Sequence, residues 1–209
     1  TLRQIMADAA TGPSDSTDED PQRTDPSASN TIAPSAGDGE TNLVHFDDDA
    51  LRSQGVSPDE IDRLHERWAE HELERAAIAD QAIREGWFLQ PLHGAELRRL
   101  DQALRSDLDD DEYDQYLYAL SQPNRLTTGE VFAGSAASEA GLRRGDIILS
   151  YGGKRVFKPG ELLIASSEGR LGESVPIKIL RDGLEQTLYV DRGPLGAQLK
   201  HSRGAPVGR

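Results

Sequence analysis

The chain has 209 residues, with 37 Asp and Glu against 23 Lys and Arg and a net charge of −14. Such an anion is repelled by phosphate backbones, which argues against nucleic acid as a partner. There is no cysteine, so disulfides, thiol catalysis and cysteine-held metals are excluded, and no apolar run approaches the ~20 residues of a membrane helix. The charge is uneven. Residues 1–120 hold 10 basic and 28 acidic side chains, while residues 121–209 hold 13 and 9, so an acidic front half precedes a mildly basic back half.

Residues 1–10 suit a turn or two of helix. The stretch 11–41 is built from Ser, Thr, Pro, Gly and Asp with Ile32 as its one large apolar residue. It cannot bury enough surface to offset the ordering of the chain, so residues 1–41 are expected to form a disordered acidic linker. Thirty such residues reach about 30 Å, which suits a tether. The chain opens on Thr1 rather than Met, so something is expected to have been removed before it, whether a signal peptide, a membrane anchor or merely the residues before an arbitrary boundary, and a plain disordered tail is the alternative to a tether.

Residues 42–124 read as a small helical domain. Asp48 begins a short helix closed by Gly55. Ser57 then caps a second helix, with Pro58 at its first position, Glu60 three residues after the cap, and Val56 and Ile61 as a hydrophobic staple. Apolar residues recur at Ile61, Leu64, Trp68, Ile78 and Ala82 with helical spacing, and Gly86 ends the run after about 28 residues. Trp87, Phe88 and Leu92 are expected to plug the helical core. A third helix carries Leu97, Leu100 and Leu104. A fourth carries Tyr113, Tyr116, Leu117 and Leu120, with acids in its first turn where the helix dipole favours them.

From Arg125 the pattern becomes β-type. Two apolar runs flank Asp182-Gly183, a pair suited to a tight hairpin. Residues 135–149, SAASEAGLRRGDIIL, place small residues, a glycine stop, a core leucine and a Gly-Asp turn directly before a strand. Small alanines let a short helix lie against a sheet, Gly141 ends it in the left-handed region, Leu142 returns to the core, and Asp146 accepts backbone N–H bonds in the turn.

This order resembles the signature of PDZ domains of the bacterial type, such as those attached to periplasmic serine proteases. The resemblance covers residues 125–201, leaving 202–209 as a flexible tail. It implies an α+β protein whose C-terminal part is a partly open β-barrel or sandwich with two short helices. It also implies the site: an extended peptide, commonly a protein C-terminus, added as a strand beside a sheet edge, its carboxylate on backbone amides. No carboxylate loop precedes Ser135. Residues 193–199, GPLGAQL, stand where that loop and the groove strand would lie in a circularly permuted domain, unless GPLG is a plain turn. On this reading the amides of Leu195, Gly196 and Ala197 hold the carboxylate and Arg192 adds attraction. Leu195, Ala197, Gln198 and Leu199 form the start of the groove strand, and Leu162, Leu163 and Ser166 line the helix opposite.

Catalysis is not expected. His65 and His71 lie six apart, the wrong spacing for a zinc helix. The run 107–114 lacks the glycine and terminal glutamate of a calcium loop, and no G-x-S-x-G is present; no cofactor or metal is implied. Three readings stand: an envelope interaction module binding an apolar peptide C-terminus, a structural spacer whose groove is blocked by the helices or the tail, and a regulatory subunit for a protease acting in trans. The tether and the resemblance place all three in the periplasm or cell envelope. The sequence leaves the oligomeric state open.

Overall fold

The computed structural model describes residues 45–207; the expectations for the linker lie outside them. The described residues belong to one compact unit. No helix among the described residues is long and apolar enough to cross a membrane.

Four helices come first: α1 (Asp48–Ser53), α2 (Pro58–Glu85), α3 (Pro91–Asp107) and α4 (Asp110–Ala119). The start of α2 is fixed by the Ser57 hydroxyl, which accepts from the Glu60 amide, and its end by Gly86 in the left-handed region. Asp109 caps α4 through a reciprocal capping box with Glu112. Phe46, Leu51, Ile61, Leu64, Leu104, Tyr113, Tyr116 and Leu117 close the helical core.

Two expectations are corrected here. Trp87, Phe88 and Leu92 do not plug this core. Pro91 starts α3 earlier than expected, so Leu92 is helical, and Phe88, Leu89 and Leu92 lie exposed at the α2–α3 tip. The core is completed instead from the other half of the chain, by fully buried Phe157, whose ring meets Tyr113 edge-on at 5.2 Å.

The second part is an open antiparallel sheet. Its strands are β1 (Arg125–Val131), β2 (Ile147–Tyr151), β3 (Lys154–Arg155), β4 (Ser174–Arg181), β5 (Leu184–Asp191) and β6 (Ala197–Ser202), in the order β5-β4-β2-β1-β6 with β3 beside β2. The β4–β5 hairpin turns at Asp182 and Gly183, both with positive φ, the backbone a two-residue turn requires. Helices α5 (Ala136–Glu139) and α6 (Pro159–Ser167) complete the unit. Leu126, Ala137, Leu142, Ile148, Tyr151, Leu162, Ile177 and Val190 build its core.

The Gly-Asp turn works as expected and does more. Asp146 accepts from the Arg143 amide at 2.7 Å, and Arg181 on β4 grips the same carboxylate at 2.6 and 2.7 Å. Burial pushes the Asp146 carboxyl up, but the bonds and charges of Arg181 and Arg143 outweigh it and hold it below its ordinary value. A carboxylate depressed by folding contributes stability that is present above its unfolded pKa of about 3.9 and is lost as pH falls through the folded value. Arg181→Gln is therefore expected to lower the melting temperature at pH 7, with the gap from the parent narrowing as the pH is taken below 4. A gap that widens toward acid would contradict the assignment.

Residues 203–207 do not hang as a free tail. The Asn124 side chain donates to the Gly204 carbonyl at 3.0 Å and accepts from its amide at 2.9 Å. Arg203 bonds the Tyr118 carbonyl at 2.8 Å and lies 4.1 Å over the Tyr118 ring. The Val207 amide donates to Asp114 at 3.0 Å. The tail is thus laid along α4 and away from the 193–197 loop.

Candidate functional site

The last strand is an edge strand. β6 runs antiparallel beside β1, from Val131 opposite Ala197 to Arg125 opposite Ser202, and β1 is its only partner among the described residues. The Gly193–Gly196 loop leads into it, so the loop and strand expected from the permuted reading come last in the chain and are stitched to the first strand of the sheet.

Two hydrogen bonds aim this loop. The Leu195 carbonyl accepts from the Ala137 amide at 2.9 Å, and the Gly196 carbonyl accepts from the Phe132 amide at 3.0 Å. A trans peptide unit points its N–H opposite its C=O. With both carbonyls held toward α5 and the end of β1, the Gly196 and Ala197 amides face the open side of β6. Among the described residues the Leu195 and Gly196 amides have no hydrogen-bond acceptor. Successive exposed amides of this kind form a nest that holds an anion without a charged side chain. Gly196 has φ +72, and a Cβ there would stand 2.3 Å from the Ser135 Cβ, so only glycine fits the bend.

Along β6 the backbone alternates. Since Ala197 faces the open side, so do Leu199 and His201, and each offers an N–H and a C=O to an added strand. The extra residue between Thr128 and Val131 lies in β1 and leaves β6 regular.

Helix α6 stands beside the approach to this loop. A cavity of about 270 Å³ lies between Leu163 and Ser166 of α6, Leu171, and the Arg192–Pro194 approach to the loop. The structure sorts the expected residues. Leu163 is exposed and lines this cavity, as does Ser166, whose hydroxyl donates to the Leu163 carbonyl at 2.9 Å. Leu162 turns away into the domain core. Leu195 is buried, Ala197 and Leu199 are half-buried against the same core, and Gln198 is exposed on the other face of β6. Arg192 is a brace: its guanidinium donates to the Ala165 carbonyl at 2.8 Å and to Glu173 at 3.1 Å, tying the end of α6 to the loop. Tyr151, which the sequence reading passed over, lies buried below Arg192, 6.0 Å from ring to guanidinium. Burial pushes its phenol above the ordinary range.

An open sheet edge, outward backbone amides at its start and a cavity beside helix α6 are the features that strand addition uses. The chain carries a PDZ domain of the bacterial type: residues 129–181 match the PDZ family model. A DegP-like periplasmic serine endoprotease of a Marinomonas strain is 37% identical over 73 residues, covering 35% of this chain and 16% of its own. The Do-like serine protease HtrA of Bacillus subtilis is 28% identical over 141 residues, covering 66% and 30%. A protein of Ralstonia nicotianae described as a zinc metalloprotease is 39% identical over 97 residues, covering 46% and 20%. The chain thus spans well under half the length of these relatives.

Proposed function

We propose that this protein is a non-enzymatic peptide-binding module of the bacterial cell envelope. A protein C-terminus lies antiparallel to β6. Its carboxylate sits on the Leu195, Gly196 and Ala197 amides, and its last, apolar side chain enters the cavity under Leu163. The observation that carries this reading is the inward fixing of the Leu195 and Gly196 carbonyls, which leaves the following amides aimed outward. Residues 42–124 act as a helical domain bracing the PDZ domain of residues 125–201. The blocked-groove reading is disfavoured by the course of residues 203–207, which are bonded along α4. The envelope location rests on relatives described as periplasmic, and the tether on the composition of residues 11–41. Relatives described as serine and as zinc proteases share only a fraction of their length with this chain, which favours a common non-catalytic part.

The test is a C-terminal decapeptide display library screened against the full chain, with the best binders resynthesised carrying a free carboxylate or an amide. Micromolar binding, about −8 kcal/mol, is expected for the free acid, and at least about tenfold weaker binding for the amide, since the nest then loses its anion. Equal affinity for the two forms, or no enrichment at all, would overturn the proposal.

A further inference from the structure

Both walls of the groove end on the same helix. At the end of β6 the Ser202 carbonyl accepts from the Asn124 amide, and Arg203 reaches Tyr118 on α4. At the start of α6, Phe157 packs on Tyr113 of α4, and the Lys158 ammonium lies 6.0 Å from the Tyr113 ring. A pocket of about 200 Å³ opens at this junction, with Lys158 and Gln122 among its lining residues, and it reaches between α2, α3 and α4. A guest strand lying along the six residues of β6 advances about 3.3 Å per residue. Residues some five to seven before its C-terminus therefore come to the end of β6, where Ser202 meets Asn124, two residues from Gln122 on the pocket wall.

The pocket has a definite chemistry. Tyr113 and Tyr116 form an aromatic floor, and Glu72, Asp101 and His71 stand on its wall. His71 is 8% exposed. Its Nε2 lies 3.1 Å from the Asp101 carboxylate, which only accepts, so in the neutral ring Nε2 carries the hydrogen and Nδ1 presents a lone pair. That Nδ1 has no hydrogen-bond partner. The Glu72 carboxylate, another acceptor, lies 3.7 Å from it. With the ring neutral, Nδ1 and the Glu72 carboxylate are both acceptors, and such a pair is complementary to a cationic donor. The resident cation Arg75 stands at the long distances of 3.4 Å from Asp101 and 3.8 Å from Glu72. Burial first, then the charge of Glu72, with smaller contributions from Tyr113 and Asp101, raises the Tyr116 phenol, and Arg75 only partly offsets this. The whole helical part is acidic, with 20 Asp and Glu against 8 Lys and Arg over residues 45–124.

From this arrangement we infer that the α2–α3–α4 pocket is a second subsite of the peptide groove, which takes a Lys or Arg side chain five to seven residues before the ligand's C-terminus. The aliphatic stem lies on Tyr113 and Tyr116, and the charged head bonds the His71 Nδ1 and the Glu72 carboxylate. The helical part then reads sequence in addition to bracing the fold. This inference rests on the peptide-binding reading, and one library separates the two. In the full chain, selected decapeptides are expected to be enriched in Lys or Arg at those upstream positions, with about five- to tenfold weaker binding when that residue is changed to Ala, as for a partly desolvated charge pair. Glu72 is exposed, so its variants leave the fold intact. Glu72→Gln should abolish the upstream preference, and Glu72→Lys should reverse it to Asp or Glu, with the C-terminal preference unchanged in both. C-terminal enrichment with no upstream basic preference, or a preference that survives Glu72→Lys, overturns the subsite and leaves the groove standing. No enrichment at either end overturns both.

Discussion

Asp114→Ala is expected to cost about 3–5 kcal/mol of folding stability, the range found when one member of a buried ion pair is deleted. Asp114 lies on α4 and is fully buried. It accepts from Arg125 at 2.5 Å, from the Asn124 amide group at 2.6 Å, from Arg155 at 3.2 Å and from the Val207 backbone at 3.0 Å. The donors come from the start of β1 with the residue before it, from β3 and from the C-terminal stretch, so one carboxylate ties three separate parts of the chain to the helical part. Arg125 is only 3% exposed. Without Asp114 its charge stays in a poorly solvated site with only carbonyl acceptors, those of Asn124 and Ala205. Desolvation of that charge, more than the loss of any single bond, makes the deletion expensive. Asp114→Asn keeps the shape and removes the charge, and should fall between alanine and the parent. Urea unfolding of the three proteins measures it. A loss below about 1 kcal/mol for alanine would mean that water or a rearranged neighbour replaces the carboxylate.

What could be read in the sequence was what local chemistry determines. Ser57, Pro58 and Gly86 fix the ends of α2 because caps act within a turn of themselves. Asp182-Gly183 fixes the hairpin, and the run from Ser135 to Leu149 fixes α5, its turn and β2. That residues 193–196 form a loop leading into a last strand was legible because GPLG follows the strand ending at Asp191 and precedes an alternating run; that this loop holds a carboxylate is the proposal. What stayed hidden depends on partners far along the chain. Nothing near Phe157 says that it belongs to the helical core, and Asp114 sits in an acidic run where it looks like one more solvated charge. The facing of α6 was ambiguous for a definite reason. Leu162, Leu163, Ile164 and Ala165 are four apolar residues in a row, so periodicity could not tell Leu162, which enters the core, from Leu163, which lines the cavity. The apolar loop at Trp87 and Phe88 misled in the opposite way, since apolar residues in a short connection do not say whether anything covers them.

Gly196→Ala is expected to weaken C-terminal peptide binding by well over tenfold while leaving most of the fold in place. Two separate costs fall on this one methyl. The backbone at φ +72 strains any residue with a Cβ, by about 1 kcal/mol. The new Cβ would also lie 2.3 Å from the Ser135 Cβ and 3.0 Å from its hydroxyl, a separation that no pair of carbons tolerates. The loop must therefore swing away from α5. It then loses the Ala137 to Leu195 and Phe132 to Gly196 bonds that turn the amides outward, and an anion nest fails when its donors no longer converge. The second cost can be removed alone. Ser135→Gly takes away the obstructing side chain, and glycine at a helix N-cap costs only a few tenths of a kcal/mol relative to serine. The double variant Ser135→Gly, Gly196→Ala should recover part of the lost affinity but not all of it, because the strain at residue 196 remains. Isothermal titration with a peptide selected on the parent protein, alongside thermal melts, reads both effects. Parent-like affinity in the single variant would show that the ligand is not held by these amides.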